Sequence, residues 1–214
     1  MRAIKLQLAT RTLLNPDAPQ WLKAPVEEIR MAGASLHVQP SSYIRTVWAG
    51  KSIGAVRFLK AQAAHNSQYI LFRLEWPDGS NDSGYGDGSV FPDAAAVVFP
   101  LQPAAPLATL GAPGRPVSLW YWRANHPDVI ENLVSQGPAS EEPAEGDGFQ
   151  ARARWRDGNW RLVVARTLAA PWRNSVHLGA TNPAPVGFAI WEGSSQERAG
   201  LHSHSREWRD LVVE

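Results

Sequence analysis

The chain has 214 residues, 44% of them hydrophobic, with 21 basic and 20 acidic side chains and a formal net charge of +1. That length allows one substantial core, or at most two small ones, and so even a charge balance gives no electrostatic reason to expect nucleic acid or a membrane surface as partner. The absence of cysteine excludes disulfides, thiolate zinc sites, cysteine nucleophiles, cysteine-ligated Fe–S clusters and c-type haem attachment, so any metal or haem must be held by His, Met, Lys, Tyr or carboxylates.

From the N-terminus, MRAIKLQLATRTLLNPDAPQW has no continuous apolar run of the signal-peptide kind, and no later stretch has the length and apolarity of a membrane span. Taken alone, this predicts a cytoplasmic, soluble chain. AAHNSQYI places His65 at a hairpin turn, and YILFRLEW (Tyr69 to Trp76) then alternates, with Ile70, Phe72, Leu74 and Trp76 on one face, as in a half-buried strand. The turn-rich PDGSNDSGYGDGS follows. Its Asp78, Asp82 and Asp87 do not have the spacing of an EF-hand, and a solvated turn is the expectation over a calcium loop. AAAVVFP (Ala94 to Pro100) and RPVSLWYWRA (Arg115 to Ala124) are further strands, the second with Trp120 and Trp122 on one face.

HPDVIENLVSQG (His126 to Gly137) has Pro127 near its start and Gly137 after its end, which predicts a short helix. PASEEPAEGDG (Pro138 to Gly148) predicts an exposed acidic loop. In FQARARWRDGNWRLVVART two alternating runs flank Asp157-Gly158, a pair that tolerates positive φ, so a β-hairpin is expected. VGFAIW (Val186 to Trp191) and EWRDLVV complete the strands. With 17 Pro and 17 Gly spread along the chain, the prediction is all-β: a single-domain β-sandwich over residues 1–214 with a few short helices in its connections.

No Walker A loop, GxGxxG, G-x-S-x-G or H-E-x-x-H is present. Of the six histidines, His37, His65, His126 and His177 read as surface or locally hydrogen-bonded. His202 and His204 differ: they follow a buried strand and a Gly/Ser-rich loop, one residue apart, and neutral imidazole is the commonest side-chain metal ligand. Most of the ten tryptophans lie in alternating strands, where core packing is expected, with Trp48 and Trp172 in looser segments open to a carbohydrate-platform role.

Three segments together resemble the haem b-binding γ subunit of ethylbenzene dehydrogenase and of the dimethylsulfide, selenate and chlorate enzymes of the type II DMSO reductase group. They are AAHNSQYILFRLEW (Ala63 to Trp76), LATLGAPGRPVSLWYWRAN (Leu107 to Asn125) and FAIWEGSSQERAGLHSHS (Phe188 to Ser205). The phrases PV-x-x-W-x-W-[KR]-A and W-x-G-x-x-x-ER-x-G carry the likeness. It implies a β-sandwich with one haem b, in a heterotrimer with a molybdenum catalytic α subunit and an Fe–S β subunit, exchanging electrons with an external carrier. It also implies a periplasmic location, reached with a twin-arginine signal on the catalytic partner, with the cytoplasm as the alternative.

In that family a methionine and a lysine hold the haem iron. The methionine position corresponds to Leu110, which has no donor atom, and the lysine position to His202. Three readings follow: haem bound through His202 with the other axial position open or filled elsewhere, a local slip that makes His204 the ligand, or a haem-free subunit kept for assembly. Met31 is the only internal methionine. The alternative from a different class is a haem-free β-sandwich module for assembly or carbohydrate binding.

Overall fold

Where apolar residues alternate most strictly, the chain is strand. The computed structural model describes residues 1–85, 88–179 and 183–214. In chain order its strands are β1 (Arg2–Lys5), β2 (Glu27–Gly33), β3 (Phe58–His65), β4 (Tyr69–Pro77), β5 (Ala94–Pro100), β6 (Val117–Arg123), β7 (Ile130–Ser135), β8 (Glu142–Pro143), β9 (Gln150–Arg156), β10 (Asn159–Thr167), β11 (Ala184–Trp191), β12 (Ser203–Ser205) and β13 (Arg209–Val213). The helices are short: α1 (Thr10–Leu13), α2 (Ser42–Val47) and two 3-10 turns at Pro19–Lys23 and Leu36–Val38.

One layer runs β2-β3-β4-β10-β9 and the other β8-β7-β6-β5-β11-β12. They are joined because the short β12 pairs with both β11 and β2. A second join runs through β1, which pairs with β3 and β13, while β13 pairs with β11. The inward residues of both layers form the main core, including Phe72, Trp76, Phe99, Trp120, Trp122, Trp160 and Phe188. Their rings meet edge to face, tilted or, for Trp76 on Trp160, stacked, as aromatic quadrupoles allow, with Trp122 and Trp160 at 5.1 Å and Phe99 and Trp120 at 4.8 Å between centroids.

The β9–β10 hairpin forms as expected, with Asp157 at φ 52° and Gly158 at φ 69°, both in the left-handed region that a tight hairpin turn requires. The expected half-buried β4 is more covered than its alternation suggests. Leu71, on its outer face, is fully buried, because the N-terminal segment lays Leu13 and Trp21 over it.

The helix expected within His126 to Gly137 is not formed: Ile130–Ser135 is strand β7, antiparallel to β6 from Val117↔Ser135 to Trp122↔Ile130. Tertiary pairing overrides the local cap signals, and Pro127 and Gly137 flank a strand instead. The acidic loop after it contributes the two-residue β8 on β7. His65 also departs from expectation. It closes β3, is 6% exposed, and its Nε2 meets the Glu214 carbonyl oxygen from the far end of the chain. His37, His126 and His177 are exposed, as expected.

Candidate cofactor site

β11 ends at Trp191, and a ten-residue loop, 192–201, returns the chain to His202 and β12. The residues of the W-x-G-x-x-x-ER-x-G phrase build this loop. The indole Nε1 of Trp191 donates to the Ala199 carbonyl at 2.8 Å, tying the loop's two ends. Gly193 has no side chain because a Cβ there would overlap the Phe91 carbonyl oxygen. Glu197, 1% exposed, accepts backbone N–H groups from Gly54 (2.5 Å), Ala55 (2.9 Å) and Glu192 (3.2 Å), so one carboxylate fastens the loop to segment 54–55 and to its own base. The Arg198 guanidinium lies 4.2 Å from the Phe91 ring centroid. Gly200 fits closely beneath Pro138 and Gln39.

His202 emerges from this scaffold 1% exposed, with neither Nδ1 nor Nε2 hydrogen-bonded. Burial, then the neighbouring His204, lowers its pKa to about 3; the carbonyls of Ala199 and Gly200 offset this only in part, and neither meets the ring in hydrogen-bond geometry. The ring is therefore neutral at physiological pH and has a lone pair free. It packs against Trp191 at 5.3 Å between centroids. His204 lies on the same side, 6.0 Å from it, as two residues separated by one in extended chain must. Its Nδ1 is engaged with the Ser205 carbonyl at 2.9 Å.

Leu110 is 1% exposed at φ 51° and belongs with Trp191, Leu107, Leu119 and Ala189 to an apolar cluster on the outer face of the β5–β6–β11 layer. The turn after β7 links it to the histidine loop: Gly137 N–H donates to the Leu110 carbonyl at 3.2 Å, and Pro138 sits against Gly200. The structure thus brings Leu110 and His202 to one patch through Trp191, although 92 positions separate them in sequence. Met31, 2% exposed, belongs to the core between the layers rather than to this patch. A cavity of about 160 Å³ opens beside Trp191, lined by Leu119, Tyr121, Leu133, Glu141 and Ala199.

An orphaned buried imidazole near an apolar wall fits a haem in donor chemistry, while Trp191 stands between the cavity and both His202 and Leu110, neither of which lines it. The cavity is smaller than the roughly 300–1,000 Å³ of small-molecule sites. Sequence reasoning named His202 and Leu110 but missed Glu197 as the loop's fastener, for which the ER-x-G phrase was the signal. Trp48 is 3% exposed and Trp172 half-buried, so neither presents an open platform. Asp78 is 4% exposed, which corrects the expectation of a solvated turn, and Asp87 lies outside the described residues.

A family model described as ethylbenzene dehydrogenase matches residues 18–149 and 141–203. A protein of Haloferax mediterranei described as a respiratory nitrate reductase heme subunit is 31% identical over 94% of this chain and 71% of its own length. The chlorate reductase subunit gamma of Ideonella dechloratans is 31% identical, over 96% of this chain and 82% of the relative. The dimethylsulfide dehydrogenase subunit gamma of Rhodovulum sulfidophilum is 29% identical, over 92% and 74%. Among solved structures, a family 9 carbohydrate-binding module of Caldicellulosiruptor kristjanssonii superposes with a TM-score of 0.53 at 7% identity, covering 100% of this chain and 95% of the module. A protein from Bacteroides uniformis described as carbohydrate-binding gives 0.55 at 10% identity, over 100% and 98%. At such identities these two show the β-sandwich fold alone.

Proposed function

Because the chain belongs to the ethylbenzene dehydrogenase family, we propose that it is the haem b subunit of a molybdenum oxidoreductase complex, passing electrons between an Fe–S subunit and an external carrier. The observation that carries this reading is His202, buried and with both ring nitrogens free. When bound, haem b supplies a one-electron redox centre. The chain's own residues do the rest. His202 offers a neutral nitrogen donor, Trp191 holds its ring from one side, and the cluster around Leu110 excludes water. Arg198 lines an adjoining cavity of about 260 Å³ and brings a positive charge to its rim, suited to an anionic cofactor edge. Admitting a macrocycle requires the Leu110 loop and the loop of residues 192–201 to part.

The chain travels, in this reading, to the periplasm with a molybdenum catalytic subunit and an Fe–S subunit. The test is a visible spectrum of the purified complex. A Soret band is expected, lost in His202→Ala and kept in His204→Ala. Loss only in the His204 variant would transfer the ligand role to that residue. A featureless spectrum of the intact complex would instead favour a haem-free assembly subunit.

A further inference from the structure

Three separate pieces of chain meet in front of Trp160: the turn after β4, the segment before β5, and the residue following β11. They bring together Asp78, Asp82, Asp93 and Glu192, each with a carboxylate oxygen within 4.8 Å of the others. Asp93 is fully buried, Asp78 is 4% exposed and Glu192 7%. The carboxylates are held in place. Asp93 accepts from Gly193 N–H (2.8 Å), Asp82 N–H (2.9 Å) and Trp160 Nε1 (2.9 Å), and Glu192 from Ser194 Oγ (2.6 Å) and Ser195 N–H (2.7 Å). Asp82 accepts from Ser80 Oγ at 2.6 Å.

Asp78 differs. Its Oδ1 accepts from Ser80 N–H at 3.1 Å, but its Oδ2 is buried and has no hydrogen-bond partner. Among the described residues no Lys, Arg or His forms an ion pair with any of the four. A buried carboxylate oxygen without a donor leaves an uncompensated charge unless a cation or a proton meets it.

We propose that Asp78, Asp82, Asp93 and Glu192 form a binding site for a calcium ion. An all-oxygen, all-carboxylate donor set selects a hard cation. Four carboxylates converging from the protein, with oxygens all within 4.8 Å of one another, suit calcium, which takes six to eight oxygen ligands in flexible geometry, better than magnesium, which keeps several waters and is seldom held in an all-protein cage. Burial, then the charge of Asp93, raises the Asp78 pKa to about 7, the direction expected of acids crowded without a counter-charge. The ion would fix Glu192, the first residue of the loop leading to His202, yet the proposal stands apart from the haem reading.

The test uses the full chain stripped with a chelator and titrated with calcium by calorimetry and thermal melting. One calcium per chain is expected, with a melting-temperature rise of about 5 °C or more at a hundredfold excess over the dissociation constant. Asp78→Asn and Glu192→Gln should each weaken binding tenfold or more, and Asp78→Asn should melt above wild type in chelator because a repelling charge is gone. If Asp78→Asn does not fold, Glu192→Gln decides. Folded wild type that shows neither heat nor a shift up to ~10 mM calcium, beyond the weakest calcium modules, overturns the proposal. So do variants that keep wild-type affinity, or an equal response to magnesium.

Discussion

His202 stands where its family relatives are implied to carry a lysine, and its surroundings suit an imidazole. A lysine ammonium would need to lose its proton to ligate, whereas the buried ring is already neutral. The same burial sets a pH dependence in the haem-free chain. The folded pKa of about 3 lies below the ordinary 6.5, so the unfolded chain binds a proton first as pH falls. The stability is complete above about 6.5 and is lost progressively toward 3. Comparing melting temperatures of wild type and His202→Leu across that interval checks this; parallel curves would contradict it. At Leu110 the expected outcome is redox. Leu110→Met would place a thioether at the position the family resemblance assigns to an axial ligand, and a potentiometric titration should then show the haem potential rise by about 100 mV, within the ~0.8 V that axial ligation commands. These two positions were legible in the sequence because a family phrase framed each. The unpartnered Oδ2 of Asp78 was not, since its surroundings come from positions 93 and 192, far along the chain.

At the scale of elements, the loop of residues 192–201 is ordered by backbone hydrogen bonds rather than by secondary structure. Glu197→Ala would strand three N–H groups, those of Gly54 and Glu192 buried and that of Ala55 at a more open position. At roughly 1 kcal/mol or more for each of the two buried groups, a loss of about 2 kcal/mol or more is expected by chemical denaturation, with faster haem release. Glu197→Gln keeps one carbonyl acceptor and should lose less. Equal stability of all three proteins would remove Glu197 from the loop's support. Strands were readable where alternation was strict and the turn chemistry explicit, as in β4 and the Asp157-Gly158 hairpin. β7 was misread because its flanking proline and glycine match helix boundaries, and only the β6 partner, distant in neither sequence nor space but invisible to local pattern, decides the matter. β12 has three residues, too few for any periodic signal.

Across the whole molecule, the two layers enclose the main aromatic core while further apolar clusters cover the outer faces. The site on the β5–β6–β11 layer is thus separated from the core by one thickness of sheet. Trp120 tests the separation. It is fully buried between Phe72, Phe99 and Phe149, so Trp120→Ala should destabilise the fold by about 3–5 kcal/mol. Under conditions where that variant remains folded, its haem spectrum should match wild type; an altered spectrum would show that core packing reaches the ligand. The sandwich followed from strand number and composition, but the seam at β12 did not, because it depends on one short strand bonding to both layers.

Trp191 gives the patch an optical consequence. Its indole lies 5.3 Å from the His202 ring, and the other tryptophans of the core lie just behind the sheet. A porphyrin beside His202 would absorb where indole emits, so excitation would drain into it and the protein's near-ultraviolet fluorescence would dim. The aromatic packing that holds the layers together therefore doubles as a built-in light meter, bright when the chain is empty and dark as each molecule fills.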